Sequence, residues 1–171
     1  MVKVSLIAAS AVVALAGCQS GFPRLTQPQP PAEEALALQC NGDALAAQQL
    51  RDGIAAARST EGKTELAESD QLNRIAATHA CDMARMGRAD VAGSNGSNVV
   101  DRARAVGYPT CGVTQLVGQG SSAPATVAGW MVPGPNREQV LGQLSYEVGS
   151  GAARGSDGRI WHSVVLGNDC S

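Results

Sequence analysis

The stretch that most constrains this chain is residues 69–108, which reads as a helix, a tight loop and a second helix. Ser69 can cap the first helix, with Asp70 in its first turn where a negative charge suits the helix dipole. Gly87 can close it. Between them Leu72, Ile75, Ala76, His79, Met83 and Met86 recur at three- and four-residue steps, so one side faces a core, while Arg74, Asp82, Arg85 and Arg88 fall largely on other faces. Gly93-Ser94-Asn95-Gly96-Ser97 then supplies turn residues that tolerate left-handed backbone. Asn98 can cap a short helix that stops at Gly107. The Arg102 and Arg104 pair reads as a solvated face of that helix.

The rest of the chain supplies further helices and a sheet. Asp43 can cap a helix over residues 44–58 with Ala46, Leu50, Ile54 and Ala57 on one face, and Thr60, Gly62 and Thr64 mark a loop after it. Pro109 forbids continuation of the second helix, and Val113, Leu116 and Val117 lie in a strand-like run over residues 112–118. Ser122 caps a helix with Pro124 in its first turn, running to about residue 132; Pro133-Gly-Pro135 then breaks the chain before a short helix over 136–141. Residues 146–153 and 160–166 are strand-like, and Gly155-Ser-Asp-Gly158 provides the turn of a hairpin. Helices flanking a small antiparallel sheet make an α+β fold.

The N-terminus has its own logic. Lys3 precedes an uncharged apolar run over residues 4–15, too short to span a bilayer, followed by Leu15-Ala16-Gly17-Cys18. This pattern resembles a bacterial lipobox, cleaved before Cys18 once its thiol carries a diacylglyceryl group. The division expected is therefore residues 1–17 as lipoprotein signal peptide, 18–39 as lipidated cysteine and tether, and 40–171 as one domain. The tether carries Pro23, Pro28, Pro30 and Pro31 among polar residues and has little with which to build a core. Extended, it would reach about 60 Å from the lipid surface. Gln19, rather than Asp, after the lipid-bearing residue leans toward the outer membrane over the inner, with the domain in the periplasm or at the cell surface.

The remaining 130 or so residues suffice for one core. Aromatic residues make up only 3% of the chain, so that core must be built from aliphatic and small side chains. The net charge is −2, and no basic patch interleaved with aromatics suggests a nucleic-acid partner. With Cys18 assigned to lipid, Cys40, Cys81, Cys111 and Cys170 remain; an even remainder in an exported chain reads as two disulfides, with three connectivities open. Cys40 with Cys81 and Cys111 with Cys170 is the preferred one. No Cys-x-x-Cys pair supports a zinc site instead.

Several residue groups share an order with a known family. They are Ile54-Ala-Ala-Ala-Arg58, Leu66 and Leu72, His79 with Asp82-Met83-Ala84, Asp101-Arg-Ala-Arg-Ala-Val-Gly-Tyr108, Gly129-Trp130-Met131, Arg137 with Val140-Leu141, Glu147-Val-Gly149, and Ile160-Trp161 before Gly167. In order and spacing they resemble the CAP superfamily, or SCP-like domains: cysteine-rich secretory proteins, antigen 5, plant pathogenesis-related proteins and many bacterial extracellular domains. The resemblance covers roughly residues 44–167 and implies a three-layer α-β-α sandwich.

Members with a metal-binding cleft place two histidines and two acidic residues around it. Laid on this chain, those positions fall on Val91, Gln115, Asn136 and Ile160, each lacking a charge or a ligand. Asp90 is the only stray donor that a small register shift would supply. With Asn95 from the Gly-rich loop and His162, expected to point away from Trp161 toward Gln115 and Asn136, these residues suggest a vestigial cleft: Val91, Asn95, Gln115, Asn136 and His162. It would suit a small neutral ligand or an envelope protein, with no metal, no cofactor and no catalytic residue assigned. His79 reads as a satisfied core residue, and Tyr108, Trp130 and Trp161 as packing. No Gly-x-Ser-x-Gly nucleophile elbow occurs. The implied function is a monomeric, membrane-anchored, non-enzymatic binding module; the alternatives are a cell-wall or peptide hydrolase using His162 and a structural envelope protein whose domain merely packs.

Overall fold

The computed structural model describes Cys40 and residues 42–170. The stretches expected to be a signal peptide (1–17) and a lipidated cysteine with its tether (18–39) lie outside the described residues. The elements are α1 (Ala44–Thr60), β1 (Ala67–Glu68), α2 (Asp70–Met86), α3 (Val99–Ala105), β2 (Thr110–Gly120), α4 (Ala123–Trp130), α5 (Pro135–Val140), β3 (Glu147–Arg154) and β4 (Ile160–Asp169). The result is the α+β sandwich implied above, with α1, α4 and α5 on one face of the sheet and α2 and α3 on the other.

The sheet runs β1-β3-β4-β2. β2, β4 and β3 are antiparallel, the last two joined by the expected hairpin, with Gly158 at φ 78° in its turn. β1 adds a two-residue parallel strand at the edge, pairing Ala67 with Glu147 and Glu68 with Val148. Because it runs directly into α2, Ser69 at the N-cap donates its backbone N–H to Val148 O at 3.0 Å, and its side chain makes no cap bond. The other caps are used as expected: Asp43 Oδ1 accepts from Ala46 N at 3.0 Å, and Asn98 and Asp101 form a reciprocal capping box.

Alternation along the strands divides the core in two. Val148, Ala152, Ile160, Val164, Leu166 and Leu116 point to α1 and α4, where Leu50, Ile54, Val127 and Trp130 meet them. Val165 points the other way, toward Leu72, Ile75, Ala76, Ala103 and Tyr108. Each fully buried Leu or Ile contributes about 1.5–3 kcal/mol. With few rings to fill space, the layers close on small residues. Gly149 and Gly151 let β3 lie against the backbone of α2, where a Cβ would stand 2.0 Å from Leu72 C and 2.3 Å from Ala77 N.

Two disulfides join Cys40 to Cys81 and Cys111 to Cys170, the pairing preferred above, with Cα separations of 5.7 and 5.4 Å. The first ties the start of the domain to α2. The second ties the end of β4 to the start of β2.

Candidate functional site: the α2–α3 loop over the sheet

Residues 87–98 cross from α2 to α3, and buried side chains hold their backbone in place. His79 is fully buried, and its Nε2 lies 2.7 Å from Asp90 O; a carbonyl only accepts, so this nitrogen carries the proton. Asp82, also fully buried, accepts Ser94 N–H at 2.7 Å and Arg85 Nη2 at 3.1 Å. Burial is the largest influence on the Asp82 carboxyl and pushes its pKa up. The hydrogen bonds from Ser94 and Arg85, with the Arg85 charge, outweigh it and hold the pKa below the usual carboxylate value.

Arg102 completes the set. Only 3% of it is exposed. Nη1 donates to Ser97 O at 3.0 Å and Ser97 Oγ at 3.1 Å; Nη2 donates to Val91 O at 2.7 Å and Gln115 Oε1 at 2.6 Å. Gln115 in turn donates from Nε2 to Ser163 Oγ at 2.8 Å. The guanidinium therefore bridges loop, α3 and sheet.

This corrects the assignment of Arg102 to a solvated helix face. A signal was present: residues two apart on a helix point about 200° from each other, so Arg102 and Arg104 cannot share one face. Arg104 is the exposed one. Ser97 is legible in the sequence only as a turn residue of the Gly-rich loop, and Ser163, a lone serine in a strand-like run, carries no pattern at all.

Of the five residues expected around a cleft, three belong to this region. Val91 contributes its carbonyl while its side chain is exposed; Asn95 Oδ1 accepts Ser97 N–H at 2.9 Å and shapes the turn; Gln115 is buried at the centre. The other two lie in the opposite layer. Gln115 stands opposite Val165 in the β2–β4 register, so it shares a face with Val165, Ser163 and Trp161. His162 is of the other parity and points toward α1 and α4, not toward Gln115 as expected. It is fully buried, with Nδ1 2.9 Å from Thr126 Oγ1. Burial lowers its pKa, more than Asp43 raises it. Asn136 is exposed on α5, whose Gln139 accepts from Thr114 Oγ1 at 3.1 Å on that same far face.

The packing residues are placed as expected. Tyr108 is buried and donates to Glu147 Oε2 at 2.6 Å; burial, then the Glu147 hydrogen bond and nearby negative charge, push its pKa well up. Trp130 donates to Val117 O at 3.3 Å, and Trp161 is buried.

Sequence comparison decides the lineage: residues 51–166 match CAP, the cysteine-rich secretory protein family. The chain belongs to the CAP family. No curated protein matches it by sequence. Three solved structures share the CAP fold. An outer surface protein from Borrelia burgdorferi superposes with a TM-score of 0.69 at 14% identity, over 76% of this chain and 98% of that one. An extracellular protein containing a SCP domain from Bacillus anthracis gives 0.67 at 18% identity, over 74% of this chain. A cysteine-rich secretory protein from Staphylococcus aureus gives 0.58 at 16%, over 73% of this chain. This CAP chain spans only 41% and 38% of the last two proteins.

The cleft of metal-binding CAP members is not reproduced in the donor set here. The oxygens facing one another are carbonyl, carboxamide and hydroxyl, with a guanidinium already among them. Among the described residues, no three of His, Cys, Asp and Glu converge on a point that could hold a metal ion. These residues do not fit a zinc-type centre.

Proposed function

We propose that this CAP chain is a lipid-anchored, non-enzymatic interaction module of the bacterial cell envelope. The observation that carries the reading is the fate of Gln115. Both ends of its carboxamide are engaged, by Arg102 and Ser163, at the position where the family resemblance implies a metal-binding glutamate. Those two bonds leave the carboxamide engaged within the protein rather than presented to a ligand. His162, on which the hydrolase alternative depends, is sealed under α4 with its Nδ1 against Thr126, which makes that alternative the weaker one.

Export is supported by the signal-like N-terminus, by two disulfides, which persist in oxidising compartments, and by fold similarity to an outer surface protein. Anchoring is supported by Leu15-Ala16-Gly17-Cys18. Two acyl chains on one cysteine hold a protein at a membrane far more durably than one. Among the described residues no helix is long and apolar enough to cross a membrane. The partner would be an envelope protein or an uncharged ligand. A hollow of about 760 Å³ beside the Cys40–Cys81 disulfide, lined by the charged Asp43, Arg85 and Arg154 with Ser156, suits the protein partner better than the uncharged ligand.

Globomycin treatment followed by mass spectrometry of the N-terminus tests the anchor: uncleaved, diacylglyceryl-modified precursor should accumulate. An N-terminus matured without lipid sinks it. Crosslinking in intact cells followed by pull-down tests the interaction, since a passive domain yields no reproducible partner.

A further inference from the structure

We propose that the oxygens of Val91, Ser97 and Gln115 form a cation site whose resident cation is the chain's own Arg102 guanidinium. Four oxygens meet its two terminal nitrogens at 2.6–3.1 Å: Val91 O, Ser97 O, Ser97 Oγ and Gln115 Oε1. They are neutral, hard donors of the kind that suits a cation without thiolate or imidazole. Val91 and Ser97 belong to the α2–α3 loop and Gln115 to the sheet, so the cation is what joins the two. The capping box of Asn98 and Asp101 fixes the start of α3 and places Arg102 one turn in, aimed back at the loop. Arg102 and Ser97 are each 3% exposed and Gln115 6%, while Val91, which supplies only its carbonyl, is 50% exposed.

The chemistry has a consequence for the loop. A guanidinium stays protonated across physiological pH, and no chelator removes it. The hold on residues 91–97 therefore does not depend on any metal supply. This goes beyond the binding role proposed above and holds whether or not a partner or lipid anchor is found.

Replacing Arg102 with Ala in the full-length chain, purified in detergent, tests the site by chemical rescue. Amides of residues 91–97 should exchange with solvent about tenfold faster than in the wild type. Millimolar guanidinium chloride should restore their protection, whereas millimolar urea, a neutral molecule of the same shape, should not. The wild type should respond to neither, nor to zinc, calcium or EDTA. The proposal is overturned by a loop that keeps wild-type exchange without Arg102, by rescue that fails or is equal with urea, or by a wild-type loop that responds to zinc, calcium or EDTA. Should Arg102→Ala not fold, Gln115→Glu provides the second arm. A carboxylate against the guanidinium should slow exchange of residues 91–97 without any zinc or calcium response. Faster exchange, or slowing that requires metal, overturns the proposal equally.

Discussion

The Asp82 carboxylate, fully buried on α2, accepts the backbone N–H of Ser94 from across the loop at 2.7 Å. A donor left without its acceptor in such a setting costs more than the bond was worth when made, because it has been taken out of water. Asp82→Ala should therefore lower stability by about 2 kcal/mol, measured by urea unfolding. The pH dependence follows from the lowered carboxyl pKa. The unfolded carboxyl titrates near about 3.9, so the stabilisation is fully present above that pH and is lost as pH falls through the lower folded-state value. Asp82→Asn, whose amide oxygen still accepts from Ser94, should be less destabilised at neutral pH and lose this acid sensitivity. Parallel acid profiles for wild type and Asp82→Asn would count against the assignment.

Arg58 does for the far side of the sheet what Arg102 does for the near side. Only 1% exposed on α1, it donates to Thr64 O at 3.0 Å and to Val140 O and Gly142 O at 2.8 Å each, joining the loop after α1 to the end of α5. Arg58→Met keeps most of the apolar stem and removes the donors. It should cost about 3 kcal/mol in urea unfolding. Lys at this position, a point charge without the planar fork, should recover only part of that. A loss within experimental error for Met would show that these carbonyls are satisfied without Arg58.

What the sequence shows and what it hides divide along physical lines. The helices α1 and α2 are legible because three- and four-residue apolar steps persist over several turns, and the β3–β4 hairpin because Gly155 to Gly158 is turn chemistry between two strand-like runs. β1 is hidden, because two residues, Ala67 and Glu68, cannot show alternation. The face of His162 is hidden for a different reason. Alternation says that Trp161 and His162 point apart, yet only the β2–β4 register, with Gln115 opposite Val165, says which of them shares Gln115's face. Arg102 and Arg58 are the deepest case: charge argues for the surface, and what keeps them inside is a set of loop carbonyls brought together only by the fold.

Gly149 and Gly151 are required by contact, not by backbone conformation. Ala at either position would push a Cβ into the backbone of α2, which cannot yield as a flexible side chain can. Each substitution should cost at least about 3 kcal/mol or abolish folding. Gly112→Ala, on β2 where an added Cβ meets nothing within 4 Å, is the matched control and should change stability by less than about 0.5 kcal/mol. Equal effects at 112 and 151, read from urea midpoints, would mean that α2 does not lie on β3 as described.

His162 should act as a destabilising proton acceptor in acid rather than as a catalytic base. Burial, the dominant influence, lowers its pKa and outweighs the opposing pull of Asp43. The folded protein therefore keeps a neutral imidazole while the unfolded chain takes up a proton near about pH 6.5. A base with a lowered folded-state pKa gives stability that is fully present above the unfolded value. It declines as pH falls from there toward the folded one, because the unfolded state binds the extra proton. His162→Gln retains a hydrogen-bonding group for Thr126 Oγ1 but cannot titrate, so its stability relative to wild type should improve on going from about pH 7.5 to about pH 5. That window lies above the one governed by Asp82, so the two substitutions should alter different parts of the same urea-unfolding profile. A difference between His162→Gln and wild type that stays constant across this range would show that His162 titrates alike in the folded and unfolded chains.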